Sequence, residues 1–292
     1  MPELPEVETI RGDLSKKILS KKITCVEIKK PRLIKSSIEK FKKIISDNKF
    51  KKIDRRGKLI IIHLLKDGFL LIHLKMTGQL IYKKNKTIIG GGHDLPILRQ
   101  GGQGELELQG KYTHIIFTFS DNSNLFFNDL RQFGYMKIVD KKELKKVLAE
   151  FGVEPLSKYF TLKKFKEILQ NKKTTIKQFL MNQKFIAGIG NIYADESCFL
   201  ARIKPTRKAA SLSENETKNL YNSIKKVLKL AIKKRGTTFN NYRDADGNTG
   251  NFVKFLKVYG RKGEFCKRCK KAKITKIKLG GRGTHYCSEC QK

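Results

Sequence analysis

The chain has 292 residues and carries 64 lysines and arginines against 27 aspartates and glutamates, which gives a formal net charge of +37. This length is enough for two domains with ample cores, and the natural partner of so basic a chain is a polyanion. The longest apolar runs, such as residues 59–65, are short and interrupted by histidine, which excludes a transmembrane helix. We therefore expect a soluble cytoplasmic protein with no membrane association.

The N-terminus places a proline where it can serve as a catalytic group. If Met1 is removed, Pro2 becomes a free secondary amine that can attack an electrophilic carbon and hold it as an iminium. Residues 1–16 contain four acids and two bases, whereas the chain as a whole is strongly basic. Pro5 fits the first turn of an amphipathic helix. The alternative is that both prolines only start this helix, whose predicted inward positions are Val7, Ile10, Leu14 and Ile18.

Residues 17 to about 140 have the pattern of β-sheet. Two β-branched and leucine-rich runs, residues 58–65 and 69–74, are joined at Asp67-Gly68, which predicts a hairpin. A second predicted pair joins residues 113–119 to residues 124–127. Between the two pairs, residues 89–110 are rich in glycine and predict a loop, to which we assign no role.

After residue 140 the apolar spacing changes from two residues to about three and a half, which predicts helices. Residues 141–156 are expected to form a connection that ends at Glu154-Pro155. Helices are then predicted to begin at Thr161, at Thr174 and at a capping box formed by Ser213 and Glu216. The N-terminal half is therefore expected to be mostly β and the middle of the chain α.

A glycine-rich turn, Gly188-Ile189-Gly190-Asn191, lies between two of these helices. Its glycines let a ligand approach the backbone, Asn191 is placed to cap the next helix, and N–H groups at a helix start favour phosphate. A tight turn without any ligand would have the same sequence, so the phosphate site and the plain turn both stay open.

The C-terminus contains two C-x-x-C pairs separated by 17 residues, a spacing that predicts one structural Zn²⁺ bound by four thiolates. Disulfides or a redox pair are the alternatives. A closed four-cysteine site predicts a zinc ion that folds a ribbon and does not catalyse. Arg282 lies at the predicted hairpin tip, whereas Cys25 and Cys198 are expected to be small buried hydrophobes. The predicted zinc ligands are Cys266, Cys269, Cys287 and Cys290.

Taken together, these segments resemble one family. The motifs are Pro2-Glu3-Leu4-Pro5-Glu6-Val7-Glu8-Thr9, Arg56-Gly57-Lys58, His73-Leu74-Lys75-Met76-Thr77-Gly78, Asp129-Leu130-Arg131-Gln132-Phe133-Gly134, Gly188-Ile189-Gly190-Asn191-Ile192-Tyr193 and the two cysteine pairs. In this order, over essentially the whole chain, they resemble formamidopyrimidine-DNA glycosylase. The resemblance implies a bifunctional enzyme of base excision repair. Acting as a monomer, it would remove oxidised purines from damaged double-stranded DNA and then cut the strand at the abasic site.

The resemblance also implies an α+β multidomain fold. An N-terminal antiparallel β-sandwich with a catalytic N-terminal helix would occupy residues 1–140, followed by a linker at residues 141–156. A helix-two-turns-helix region would then occupy residues 157–235. A lesion-covering loop at residues 236–258 and a zinc ribbon at residues 259–292 would complete the chain.

Four residues carry the chemistry that the resemblance implies. The nitrogen of Pro2 would attack C1′ of the extruded nucleotide and displace the damaged base, and Glu3 would donate the proton that opens the sugar ring. Lys58 would serve the first elimination, which releases the 3′ phosphate, and Arg282 the second. Arginine is rarely deprotonated, so Arg282 would act mainly by holding phosphate.

The resemblance assigns DNA contacts as well. Met76, Arg131 and Phe133 match a wedge that fills the void left by the extruded nucleotide. Tyr112 stands where the family usually has histidine, and because a phenol also donates to phosphate we expect an altered rather than a lost contact. The remaining DNA-facing positions implied are His73, Lys173, Asn191 and Glu6.

Two other functions stay open. The related endonuclease VIII group prefers oxidised pyrimidines and usually begins Pro-Glu-Gly-Pro, whereas this chain begins Pro-Glu-Leu-Pro. Residues 237–252 resemble the flexible loop with which purine-directed enzymes cover the flipped base, so both features favour a purine. The second alternative is a non-catalytic zinc-ribbon protein that coats nucleic acid through charge alone.

Overall fold

Apolar runs between residues 23 and 139 fold into two antiparallel sheets. The computed structural model describes residues 2–66, 68–85, 87–91, 110–237 and 251–292. The five-stranded sheet contains, in spatial order, β1 (Ile23–Ile28), β7 (Thr113–Phe119), β8 (Asn124–Asp129), β5 (Gly78–Lys84) and β6 (Thr87–Gly91). The four-stranded sheet contains β2 (Phe50–Arg56), β3 (Leu59–Leu64), β4 (Phe69–His73) and β9 (Tyr135–Val139).

The two sheets share one hydrophobic core with helix α1 (Leu4–Lys17). Phe117 on β7 is fully buried there, packed edge-on against Phe50 of β2 and tilted against Phe41 of helix α2 (Ile38–Ile45). Residues from both sheets and from the helix thus form a sandwich with α1 built into its core. The predicted inward positions of α1 are all in this core: Val7, Ile10, Leu14 and Ile18.

Lys58 lies in a hairpin turn, one residue before the strand in which it was predicted. Because β2 and β3 pair Arg56 with Leu59, Gly57 and Lys58 form a two-residue turn. The φ angle of Gly57 is 58°, the left-handed value that a type II′ turn requires at its first central position. Glycine at position 57 therefore sets the register of this hairpin.

The glycine-rich stretch predicted as a loop begins inside a strand. Residues 89–91 belong to β6, which pairs antiparallel with β5, so the prediction was wrong for these residues. Residues 92–109, the rest of the stretch up to Gly110, lie outside the described residues, as does Asp67 of the predicted hairpin.

Helix α3 (Lys141–Ala149) occupies most of the segment predicted as a connection. Asp140 starts it, because its Oδ1 accepts the N–H of Glu143 at 2.7 Å and the Glu143 carboxylate accepts the N–H of Asp140 at 3.4 Å. No residue of α3 is buried. Its apolar residues Leu144, Val147 and Leu148 have helical spacing and are half-buried, so the prediction of a connection overlooked a short helical pattern.

Residues 149–233 and 254–292 form a second unit, separate from the first, which comprises residues 1–148 and 234–253. The second unit contains α4 (Leu162–Leu169), α5 (Ile176–Met181), α6 (Asn191–Ala201), α7 (Glu214–Lys233) and a hairpin of β10 (Thr275–Leu279) and β11 (Arg282–Tyr286). Thr161 caps α4 as predicted. The cap of α5 is Thr175 rather than Thr174, because Gln178 completes a capping box with Thr175.

The predicted α+β multidomain class is confirmed, with a β-sandwich and its N-terminal helix in one unit and helices with a cysteine-bearing ribbon in the other. In the part of the chain that the structure describes, no helix combines the length and the apolar content that crossing a bilayer requires.

Truncation of the buried Phe117 ring should destabilise the first unit. We expect Phe117→Ala to lower the free energy of unfolding by about 3–5 kcal/mol, because it leaves a cavity between the sheets. Hydrogen exchange of the β7 and β8 amides measures this unit directly. The matched control is Phe133→Ala, since Phe133 is 54% exposed and its loss leaves no cavity. Equal protection in the two variants would contradict the packing described.

Candidate functional site

The first turn of α1 brings Pro2 and Glu3 together at the helix N-terminus. Glu3 is the N-cap residue and forms a capping box with Glu6, whose Oε2 accepts the N–H of Glu3 at 2.8 Å. Pro2 is buried, and Glu3 is 2% exposed. Pro5 fits the first turn because no N–H is needed there. A proline and a carboxylate are thus adjacent at the positive end of a helix, while Met1 lies outside the described residues.

Glu6 also fixes the residue at which the predicted lesion-covering loop begins. Its Oε1 accepts the N–H of Thr237 at 2.7 Å and the Thr237 hydroxyl at 2.9 Å. Gly236 has a φ of 83°, and a Cβ there would lie 2.7 Å from Oε1 of Glu6, so a side chain would be strained and would displace this carboxylate. Glu6 therefore anchors residue 237 to α1. Residues 238–250 of the predicted loop lie outside the described residues, whereas its last part, residues 251–258, contains a short 3₁₀ helix, Phe252–Phe255.

An ion pair joins α1 to the turn that carries Lys58. Arg55 Nε lies 2.9 Å from Oε2 of Glu8, and Arg55 Nη1 donates to the carbonyl oxygen of Gly57 at 2.8 Å. Burial acts to raise the pKa of Glu8, but hydrogen bonds from Arg11 and Arg55 lower it below its ordinary value. Lys58 itself is only 6% exposed, which is rare for lysine. The turn is therefore fixed to the helix that begins at Leu4.

His73, which pairs with Leu59 across β3 and β4, is held as a neutral ring. Its Nδ1 accepts the N–H of Lys75 at 2.9 Å. Burial, followed by the positive charges of Lys75 and Lys58, lowers the pKa of His73 from 6.5 to about 3. Because Nδ1 is the acceptor, the ring proton lies on Nε2, and His73 can donate one hydrogen bond without being charged.

The three predicted wedge residues lie on two loops of the first unit. Met76 is half-buried between β4 and β5, whereas Arg131 and Phe133 are exposed between β8 and β9. The guanidinium carbon of Arg131 lies 4.7 Å from the centre of the Phe133 ring, a cation–π contact. Tyr112 precedes β7, and its carbonyl oxygen accepts the N–H of Asp129 at 3.0 Å.

Asn191 is the first residue of α6, not its cap as predicted, because Gly190 takes the extended N-cap conformation. The Nδ2 of Asn191 donates to the hydroxyl of Tyr259 at 3.4 Å. Its Oδ1 is buried and has no hydrogen-bond partner among the described residues. Gly188 has a φ of 96°, which glycine alone adopts readily. Lys173 is exposed in the segment before α5.

Lys177 and Asp195 form a buried ion pair that joins two helices to the ribbon. The Nζ of Lys177 lies 2.7 Å from Oδ1 of Asp195, and the two side chains are 1% and 0% exposed. Lys177 also donates to the carbonyl oxygen of Gly283 at 2.8 Å, and Asp195 Oδ2 accepts the N–H of His285 at 2.8 Å. Both bonds fix β11, whose first residue is the exposed Arg282.

The four C-terminal cysteines converge on one point. Their sulfurs lie within 4.8 Å of one another, and the Sγ atoms of Cys266 and Cys290, like those of Cys269 and Cys287, are 3.8 Å apart. Tetrahedral zinc with Zn–S bonds of about 2.3 Å separates its thiolates by about 3.8 Å. The geometry therefore fits one zinc ion with a closed shell of four sulfurs.

The two remaining cysteines differ from each other. Cys198 is buried on α6 as predicted, and burial raises the pKa of its thiol, which makes it unreactive. Cys25 is exposed, so that prediction was wrong. The reason is a register shift between Ile23 and Cys25 in the pairing of β1 with β7, because a bulge turns the following side chain to the other face.

Comparison with known proteins assigns the whole chain to one group. Residues 1–136 match the formamidopyrimidine-DNA glycosylase N-terminal domain, residues 151–242 its H2TH domain, and residues 263–292 a zinc finger found in FPG and IleRS. The formamidopyrimidine-DNA glycosylase of Pelotomaculum thermopropionicum is 42% identical over 100% of this chain and 99% of its own length.

Solved structures give the same family assignment. A mutant of the Lactococcus lactis enzyme bound to Fapy-dG-containing DNA has a TM-score of 0.86 and 34% identity, with 100% of both chains covered. The wild-type Lactococcus lactis enzyme bound to DNA containing an oxidised pyrimidine has a TM-score of 0.84 and 34% identity, again with 100% of both chains covered.

The sandwich with its N-terminal proline helix, the helix-two-turns-helix region and the zinc finger define a DNA glycosylase of base excision repair. The chain belongs to the formamidopyrimidine-DNA glycosylase family. It binds DNA and holds one structural zinc ion at its four C-terminal cysteines.

Sequence reasoning missed the charged residues that hold these groups in place, namely Arg55, Asp129, Lys177 and Asp195. For two of these residues, Lys177 and Asp195, the sequence does contain a signal. Lys177 lies beside Ile176 on the inward side of α5, and Asp195 follows Ala194 in α6, a helix most of whose residues are buried. A charge at an inward position requires a buried partner, and opposite signs predict that the two pair.

Removal of one zinc ligand should unfold the ribbon. We expect Cys266→Ser to lose its zinc and the hydrogen-exchange protection of β10 and β11, because structural zinc contributes about 10–16 kcal/mol to the folding of such modules. Metal analysis by mass spectrometry should give one zinc per wild-type chain. Cys25→Ser is the matched control and should keep its zinc, since Cys25 lies outside the cluster. A stable ribbon without zinc would contradict the assignment.

The His73 ring should stay neutral across the physiological range. Nitrogen-15 spectra of histidine-labelled protein should show Nε2 protonated and Nδ1 unprotonated from about pH 8 to about pH 5, because the pKa is lowered to about 3. The unfolded chain binds this proton near pH 6.5, so the contribution of His73 to stability is complete above that pH and declines as the pH falls toward 3. His73→Gln should therefore lose less stability on acidification than wild type. A ring that titrates near pH 6.5 would contradict this.

Proposed function

We propose that the chain excises oxidised purines, 8-oxoguanine and formamidopyrimidines, from duplex DNA through an iminium at Pro2, and then cleaves the strand by β,δ-elimination. The observation that carries the proposal is the N-terminus. Pro2 lies buried next to Glu3, at the start of a helix that is packed into the sandwich core. Membership of the formamidopyrimidine-DNA glycosylase family supports the same chemistry.

The bond changes are those expected when a secondary amine attacks C1′ of a deoxyribose. With Met1 removed, the Pro2 nitrogen attacks C1′, the bond from C1′ to the base breaks, and the base leaves. Glu3 gives a proton to the ring oxygen, which opens the sugar and leaves C1′ as an iminium with the proline nitrogen. The iminium acidifies the C2′ proton, and its loss expels the 3′ phosphate. A second elimination expels the 5′ phosphate, and water then releases the sugar fragment from Pro2.

The roles of the other residues follow their chemistry. In the first unit, Lys58 serves the first elimination, which its burial and the fixed Gly57-Lys58 turn support. His73 and Tyr112 donate to phosphate as a neutral N–H and a phenol. The positions in the second unit assigned to phosphate are Arg282, Asn191 and Lys173, and the exposure of the two cations supports this.

The wedge assignment rests on two apolar side chains and one cation. Phe133 and Met76 can enter a base stack as apolar inserts, and Arg131 can hydrogen-bond the base left without a partner. The exposure of Phe133, at 54%, and its contact with Arg131 support this use. We also propose that Glu6 faces the DNA, in addition to anchoring residue 237 to α1.

Oxidised pyrimidine is the second candidate substrate. The structurally similar Lactococcus lactis enzyme has been solved with DNA containing an oxidised pyrimidine, and a mutant of the same enzyme has been solved with Fapy-dG-containing DNA. The Pro2-Glu3-Leu4-Pro5 start favours the purine. We further propose that the enzyme acts on double-stranded DNA as a monomer in the bacterial cytoplasm. Support comes from the bacterial origin of its relatives and from the presence on one chain of every residue assigned a role.

Borohydride trapping tests the proposal. Protein shown by mass spectrometry to begin at Pro2 is incubated with duplexes containing 8-oxoguanine, an oxidised pyrimidine or a preformed abasic site. We expect a covalent adduct that maps to Pro2, forming faster on the purine than on the pyrimidine. Glu3→Gln should slow base excision by about 10²–10⁴-fold, because it removes the proton donor.

Two outcomes would contradict the proposal. Absence of an adduct with correctly processed protein would eliminate the iminium mechanism, and unchanged excision by Pro2→Gly would exclude a role specific to the proline at position 2. A faster reaction with the pyrimidine would show that oxidised pyrimidines, not oxidised purines, are the preferred substrates. Protein that retains Met1 is the matched control, because it should bind DNA without forming an adduct.

A further inference from the structure

Asp129, at the end of β8, is a fully buried carboxylate outside the residues assigned to chemistry or DNA contact. Its Oδ2 accepts the N–H of Gly134 at 2.6 Å, and its Oδ1 accepts the N–H of Arg131 at 3.2 Å. Both donors belong to the loop that carries the wedge residues Arg131 and Phe133. One side chain therefore closes this loop at its beginning and at its end.

The same carboxylate reaches the second wedge loop. The hydroxyl of Thr77, next to Met76, donates to Oδ1 of Asp129 and in turn accepts the N–H of Arg131 at 3.0 Å. Asp129 thus joins the Met76 loop to the loop of Arg131 and Phe133. A carboxylate suits this position because both of its oxygens are acceptors, and all three of its partners here are donors.

The main chain of Asp129 extends the connection to a third segment. Its N–H donates to the carbonyl oxygen of Tyr112 at 3.0 Å, and its carbonyl oxygen lies 2.8 Å from Nε2 of the buried His114. Tyr112 is the residue assigned to a phosphate. Asp129 therefore contacts every segment of the first unit that carries a wedge residue, together with the start of β7.

Backbone strain explains why these loops need such an anchor. Lys75 and Gln132 take left-handed φ values of 50° and 55°, one in each wedge loop. Non-glycine residues adopt this region at a cost of about 1–3 kcal/mol each, so the surroundings must hold them there. At Gly134 a Cβ would lie 2.8 Å from the Phe127 ring and 3.0 Å from Oδ2 of Asp129, so the loop end fits against the carboxylate.

We propose that Asp129 is the positioning residue of the wedge: it holds Met76, Arg131 and Phe133 in the arrangement that replaces an extruded nucleotide. This inference rests on the proposed function, because it takes those three residues as the wedge. Asp129 itself is buried and touches neither the base nor the sugar. Its effect is therefore on the opening of the base pair, not on the reaction at Pro2.

The test is Asp129→Asn, which keeps the size of the side chain but turns one acceptor into a donor that faces N–H or O–H groups. Single-turnover excision is measured on a duplex with 8-oxoguanine paired to cytosine, and borohydride trapping on a preformed abasic site. We expect excision from the pair to fall by about 10²-fold, the effect of a displaced positioning group. Trapping at the abasic site, where no base pair has to open, should fall much less.

Matched variants separate positioning from folding. Thr77→Val removes one donor to Asp129 and should show the same substrate split, whereas Thr77→Ser keeps the hydroxyl and should behave as wild type. Asp121→Asn changes an acid bound to Lys21 and Lys84 at another turn of the unit, and should leave both activities unchanged. If Asp129→Asn does not fold, Thr77→Val carries the test.

Each outcome bears on the proposal. Equal losses on the two substrates in folded Thr77→Val or Asp129→Asn, or no loss on either, would overturn it. Fluorescence of 2-aminopurine placed opposite the lesion reports the wedge without any chemistry, and should rise on binding of wild type but not of Asp129→Asn. If wild type forms no Pro2 adduct, the proposed function fails while this fluorescence still decides the role of Asp129.

Discussion

In the first unit, one helix has to hold Pro2 and Glu3 in place, and the arrangement of the unit depends on this constraint. Helix α1 meets it by burying its apolar face in the sandwich core and by closing its first turn with the capping box of Glu3 and Glu6. The pair of Glu8 and Arg55 then links the same helix to the carbonyl oxygen of Gly57, next to Lys58. The proline and the lysine are far apart in sequence, so these contacts of one buried helix, not chain connectivity, set their arrangement.

Buried acids also hold backbone segments in place elsewhere in this basic chain. Among the described residues, four acids are at most 3% exposed: Glu3, Asp129, Asp195 and Glu196. Each accepts backbone N–H groups, and Glu196 accepts three, from residues 257–259. Burial raises the pKa of Glu196, while these N–H groups favour its charged form. A buried acceptor surrounded by donors fixes a segment, because leaving those donors unpaired is costly.

The sequence was sufficient for the features that depend on local spacing. The cysteine pairs, the inward face of α1 and the paired runs of β7 and β8 are each encoded within one segment, and the structure agrees with them. Features that depend on a distant partner were missed or misplaced. Cys25 changes face because of a bulge in its pairing with β7, whereas helix α3 was missed although Leu144, Val147 and Leu148 have helical spacing. Asp129 is visible in its motif, but its contact with Thr77 joins it to another loop, and neither spacing nor propensity reveals this role.

Affinity and geometry are therefore carried by different residues. Attraction of a chain with a net charge of +37 to DNA is diffuse and adds up over many lysines, so exchange of any one of them changes it little. Geometry depends on a few buried groups whose partners are backbone atoms. Tyr112 illustrates the separation, because we propose a phosphate contact for its side chain, whereas its carbonyl oxygen accepts the N–H of Asp129. The fold requires the main chain at this position, which leaves the phenol of Tyr112 free for the phosphate contact that we propose.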